Sequence, residues 1–183
     1  MVKMLAPIQN SEWLLNRIIN QSLKQDVLVF IASVLTGSLL FIAVSLSLPD
    51  ISRWPVNTGP AGSAVMAGTL LGMFVADGLF FLLIISLVEH FFVLFIKDHP
   101  AFEKSMKSVI YASAIPLMLI WAMLVFPGLY VIPVLTGVFA LMTFFGVREF
   151  HSVSNDRALF VSVFILLFIL VMMYCANVIL FSR

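Results

Sequence analysis

The sequence predicts an all-α integral membrane protein, with five transmembrane helices and two short interfacial amphipathic helices. Three observations lead there. Of the 183 residues, 62% are hydrophobic and 10% charged, and the mean hydropathy is +1.15; soluble domains run at about 45–50% and 25%. Five apolar runs, at 27–48, 63–86, 109–126, 129–147 and 158–181, each approach the roughly 20 residues that cross about 30 Å of hydrocarbon as a helix. Helices satisfy their own backbone groups in lipid. A β-barrel would need alternating segments, and the stretch Phe164–Met173 shows no alternation. Third, the positive charge is lopsided. Lys3, Arg17, Lys24, Lys97, Lys104, Lys107, Arg148 and Arg157 fall in the first, third and fifth polar segments, and only Arg53 and Arg183 in the others. Positive-inside bias then puts the N-terminus in the cytoplasm and the C-terminus outside the cell inner membrane.

The chain divides into a cytoplasmic amphipathic segment, 1–26, and a five-span membrane domain, 27–183. Residues 10–24 place Trp13, Leu14, Leu15, Ile18 and Ile19 on one stripe, with Asn10 or Ser11 available as N-cap. They are expected to form a helix on the cytoplasmic membrane face. No cleavable signal peptide is visible, so the run from Val27 is expected to stay as a signal anchor. The loop 49–62 carries Pro49, Pro55, Gly59, Pro60 and Gly62, residues that interrupt helices and make irregular turns.

From Ser63 to Ile96 there is no proline. As one helix this is about 51 Å, too long for a perpendicular crossing and too short for two. A tilted span that continues past the lipid boundary and carries Glu89 and His90 out of the hydrocarbon satisfies the length. Ala64, Gly68, Gly72 and Ala76 lie four apart along it, and small residues at that spacing admit another helix at close range. They form a helix-packing face, toward the chain's own bundle or toward a second copy.

Residues 97–110 read as the second amphipathic helix, with Phe102, Met106, Val109 and Ile110 on its apolar side and Glu103, Lys104 and Lys107 toward water. Pro100 suits its first turn. The third and fourth spans form a hairpin through Phe126-Pro127-Gly128. Each contains one interior proline, Pro116 and Pro133, which is expected to kink it and free a carbonyl. A short polar loop, 148–157, leads into the last span.

Tyr111-Ala-Ser-Ala-Ile-Pro116, the turn Pro127-Gly128 into Tyr130-Val-Ile-Pro133, and His151-Ser-Val-Ser-Asn-Asp-Arg157-Ala158 before the final apolar helix form a recognisable series. The chain resembles the Yip1 domain family in this pattern, best over 60–183. The resemblance implies a cytoplasmic N-terminal part followed by five membrane spans. An Asp-Leu-Tyr-Gly-Pro signature of eukaryotic members is absent and their long N-terminus is missing, which fits a short, prokaryotic-type member. Eukaryotic relatives act in vesicle trafficking with small GTPases, a role this short form does not inherit from resemblance alone.

Few residues offer chemistry. A formal charge of +1 gives no field for nucleic acid, and the lone Cys175 forms neither a disulfide within the chain nor a cysteine metal site. Asp77 is the one ionisable residue deep in a span, where a charge costs about 2.5–3.5 kcal/mol and calls for a partner. Freed carbonyls near Pro116 or Pro133, or the hydroxyls of Ser86, Thr136 and Thr143, are candidates. Glu89, His90, Arg148, His151 and Arg157 form a cytoplasmic-face polar cluster, in which capping and loop solvation account for each residue. Its histidines lack the i, i+4 spacing of a metal site, and the arginines are expected at lipid headgroups. No metal, cofactor or catalytic residue is expected. The sequence thus predicts a non-enzymatic membrane scaffold or assembly component that packs with itself or with other membrane proteins in the lipid bilayer. The alternative is a small transporter or channel subunit using Asp77. An embedded enzyme would require Glu89, His90 and His151 to meet in space.

Overall fold

The structure, a computed structural model, describes residues 21–47, 59–126 and 128–181, with the side chains of 46, 59–64, 66, 128–129 and 176–181 left aside. The described residues form helices and turns only: α1 (Leu23–Ser47), α2 (Gly59–Leu94), α3 (Phe102–Met118), α4 (Ala122–Val125), α5 (Gly128–His151) and α6 (Asn155–Phe181). Among them are five stretches long and apolar enough to cross a membrane, the third running through α3 and α4. The expected surface helix at 10–24 lies almost wholly outside the described residues, and Leu23 and Lys24 already belong to α1.

Helix α2 is one unbroken helix of 36 residues, about 54 Å long, as the proline-free run from Ser63 to Ile96 led us to expect. It begins earlier than expected. Gly59-Pro60 opens it, because proline in the first helical turn forfeits only an N–H that would have no intrahelical partner.

The larger correction concerns α3. The amphipathic stretch 97–110 is not a separate surface helix; from Phe102 it is the first half of the third membrane helix. Ser105, Lys107, Ser108, Val109 and Ile110 are buried there, so Lys107 does not face water. The apolar stripe was read correctly, but the serines between its members are small enough to let neighbouring helices close over the other faces. Helix α3 is consequently the hub of the bundle, packing on α5, α1 and α2, while α6 packs on α5 and α2. It stops two residues after Pro116, where the Leu119 N–H bonds back to the carbonyls of Ile115 and Pro116 at 3.1 and 3.2 Å. A turn then leads into the short α4. Pro116 therefore sits in a final turn, whereas Pro133 lies inside α5.

Two glycines set the closest approaches. A β-carbon on Gly37 of α1 would fall on the Leu117 carbonyl group of α3. One on Gly146 of α5 would stand 2.5 Å from Ser108 Oγ and 3.2 Å from Ser108 Cα. Both contacts bring backbones within the range where small residues are required.

The buried core comprises Phe30 and Val34 of α1, Leu82, Ile85 and Val93, Val109 and Ile110 of α3, Phe139 and Val147, and Ala158, Val161 and Ile165 of α6. In an up-and-down bundle most of these fall at one end, hereafter the polar end because of what lies among them. Toward the other end a cavity of about 220 Å³ opens between Phe81, Pro116, Ile132, Thr136, Phe139 and Ile169.

Candidate functional site

The polar end contains a cluster of ionisable groups enclosed by apolar side chains. Glu89 reaches it from α2, Ser105 and Ser108 from the first turns of α3, and His151 from the last residue of α5; all four are 0% exposed. Ser108 Oγ donates to Glu89 Oε2 at 3.0 Å. The other carboxylate oxygen, Oε1, lies 3.5 Å from His151 Nε2, and Ser105 Oγ approaches the same nitrogen at 3.3 Å. The expected short polar loop 148–157 is thus much shorter: α5 runs on to His151 and α6 begins at Asn155. A C-cap explains how the imidazole is delivered inward. Ser152 adopts the left-handed conformation (φ 53°), and the Val153 N–H bonds back to the Arg148 carbonyl at 3.2 Å, a helix stop that usually employs glycine.

Cations close this junction from outside. Lys97 Nζ donates to the His151 carbonyl oxygen, neutralising an end-of-helix acceptor that no N–H of α5 reaches. Arg157 donates to the Ile96 carbonyl at 3.1 Å, tying the first turn of α6 to the segment after α2. Arg148 bonds Glu149 through Nε at 2.8 Å and lies over the Phe145 ring at 5.3 Å. The arginines are thus engaged by the protein itself. His90 is half-buried, its ring edge-on to Phe102 at 5.4 Å, and among the described residues no hydrogen bond joins it to Glu89 or His151. Solvated-loop roles for Glu89 and His151 are overturned, since both are fully enclosed.

A second buried set lies between α1 and α3. Asp26 is 0% exposed. It accepts a hydrogen bond from Tyr111 at 2.8 Å and lies 3.8 Å from Lys107 Nζ, which also meets Glu103 at 3.1 Å and donates to the Gln21 carbonyl at 2.7 Å. The Tyr111 ring stacks on Phe150 of α5 at 5.8 Å. Sequence reasoning missed this set and both serines. The available signal was the row of serines, Ser105, Ser108 and Ser113, spaced along the stretch from Phe102 beside Lys107.

The remaining candidates are dispersed. Asp77 is exposed on α2 beside a cavity of about 240 Å³ lined by Val34, Ser38, Phe74, Gly78, Phe81 and Leu117. None of the suggested partners reaches it: Thr136 and Thr143 bond the carbonyls of Ile132 and Phe139 in their own helix, and Ser86 Oγ is buried without a partner among the described residues. Gly68, Gly72 and Ala76 are exposed, and a β-carbon on either glycine would meet nothing within 4 Å. The side chain of Ala64 lies outside the described set.

The convergence of serine, histidine and glutamate raises the question of nucleophilic catalysis. A Ser-His-acid relay needs the serine on one imidazole nitrogen and the carboxylate on the other. Here Ser105 and Glu89 both face Nε2, whereas Nδ1 has no partner among the described residues. Nor do the described residues contain three or more His, Cys, Asp or Glu side chains grouped to hold a metal. The arrangement is that of a polar lock between helices. A comparison with curated proteins returned no match, and neither did one with solved structures. The family comparison is decisive: the Yip1 domain matches residues 4–176, nearly the whole chain, and the protein belongs to the Yip1 domain family of multi-pass membrane proteins.

Proposed function

We propose that this protein is a non-enzymatic scaffold or assembly component of the cell inner membrane, acting through helix packing with itself or with other membrane proteins. The observation that supports this reading is the row Gly68, Gly72 and Ala76. It is exposed on the longest of the described helices, and a β-carbon on either glycine would meet none of the described residues within 4 Å. In lipid, such a surface offers close backbone approach to another helix, with gains from packing and weak Cα–H···O contacts. The polar end meanwhile supplies a rigid base, since α1, α2, α3 and α5 are cross-linked there by buried polar groups. With the N-terminus in the cytoplasm, that base faces the cytoplasm and the small-residue row lies toward the outer leaflet.

The transport reading finds less support. Asp77 has no charged companion among the described residues, and the hydroxyls of Ser113, Thr136 and Thr143 are spent on carbonyls of their own helices. The test is to place leucine at Gly68 or Gly72 and follow association in native membranes by cross-linking and native gels. Loss of the complexes, with melting behaviour retained, is the expected result. Complexes that survive both substitutions, or an ion or solute flux in liposomes that Asp77→Asn abolishes, would overturn the assembly reading.

A further inference from the structure

We propose that Glu89 and His151 together form a binding site for one proton, whose loss or doubling loosens the junction of α2, α3 and α5. This inference is independent of the assembly reading. Its basis is geometric. The two groups are 0% exposed, face each other at 3.5 Å, and belong to helices that Ser105 and Ser108 bridge at this point. One proton between Oε1 and Nε2 makes the pair neutral overall, whichever partner carries it. Ser105 suits either placement, because a hydroxyl donates to a bare imidazole nitrogen and accepts from a protonated one.

The neighbours penalise any other proton count. A second proton creates an imidazolium without a carboxylate. The charged or titratable groups acting on it are Lys97, Lys104 and His90, all cationic when charged. Removal of the proton leaves a net negative charge on the buried pair, with hydrogen-bond donors in the Ser108 hydroxyl and the neutral imidazole but no cation in the pair. The cations nearby are committed, Lys97 to the His151 carbonyl and Arg157 to that of Ile96. On the far face of α3, Asp26 and Lys107 are engaged with each other. An unpaired charge in a dry interior is strongly destabilising. Acidification doubles the proton and alkalinisation removes it, so stability falls on both sides of a plateau. The pair titrates as a unit with macroscopic steps.

The test uses the full chain in phospholipid nanodiscs. Its melting midpoint is recorded against pH for the wild type, Glu89→Gln and His151→Gln. In parallel, imidazole carbon NMR is recorded on His90→Gln/His99→Gln, which leaves His151 as the sole histidine. The wild type is expected to lose stability in both directions. Glu89→Gln should lose the alkaline fall and His151→Gln the acid fall, and the His151 signal should change together with the acid fall. A flat wild-type profile, limbs that persist in both variants, or a His151 signal that titrates apart from the acid fall would overturn the proposal. Should either variant fail to accumulate, the profile of the wild type and the NMR titration decide alone.

Discussion

Replacing Gly146 with alanine tests the packing argument at its tightest point. The added β-carbon would stand 2.5 Å from Ser108 Oγ and 3.2 Å from both Ser108 Cα and Cβ. Rotation of one side chain relieves only the first of these. Overpacking of this kind costs about 1–3 kcal/mol. If Ser108 Oγ is driven away, Glu89 Oε2 loses its donor at a fully buried position, worth about 1–3 kcal/mol more. Alanine returns about 1 kcal/mol of helix propensity, so the net loss is about 1–5 kcal/mol. For a chain of this size each kcal/mol lowers the melting midpoint by about 2–4 °C, giving a fall of roughly 2–20 °C. Thermal unfolding monitored by size-exclusion fluorescence in a mild detergent would measure it. Gly137→Ala in the same helix is the control, since its β-carbon would meet nothing within 4 Å, and its midpoint should hold or rise slightly. If Ser108 is the route, Ser108→Ala should already destabilise, and adding Gly146→Ala should cost less than the sum of the single changes. A Gly146→Ala protein that melts with or above the wild type would refute the assigned α3–α5 contact.

Gly37→Ala should cost at least as much, because its obstacle is the Leu117 backbone carbonyl rather than a side chain; the same melting assay reads it, and an unchanged midpoint would remove α1 from its place beside α3. Lys107→Met should destabilise by about 3–5 kcal/mol by leaving Asp26 buried and unpaired, and adding Asp26→Asn should restore part of the loss; no recovery in a double-mutant cycle would show that the two do not communicate. Tyr111→Phe removes one hydrogen bond to Asp26 while keeping the ring stack on Phe150, so a modest loss of about 1.5–3 kcal/mol is expected in urea unfolding, and a loss above Lys107→Met would reverse the ranking. Arg157→Ala should lower the midpoint by only a degree or two, since its bond to the Ile96 carbonyl is exposed.

The spans were readable because each is an uninterrupted apolar run, and lipid gives such a run one solution. The boundaries were harder. Gly59-Pro60 looked like loop because proline and glycine usually are, yet proline in a first turn is compatible with a helix. The segment 97–110 showed amphipathic spacing, and that spacing does not distinguish a helix on a membrane surface from one whose polar face is covered by other polar groups. Lys107, Ser105 and Ser108 are the residues on which this turned. Glu89 and His151 were singled out with the wrong surroundings. They lie 62 positions apart in the chain, and nothing local to either indicates the other.

What the sequence determined by itself is the class: five membrane-crossing helices, the single long α2, and membership of one family. These follow from composition and from runs of residues, which are properties of contiguous chain. Only the tertiary structure decided that α3 is the centre, that Gly37 and Gly146 are close-approach points, and that Glu89 meets His151 in a dry interior. Those depend on which helix faces meet. In lipid, where apolar surface is satisfied on every side, the choice of face rests on small residues and buried polar groups too sparse to leave a periodic trace in the chain.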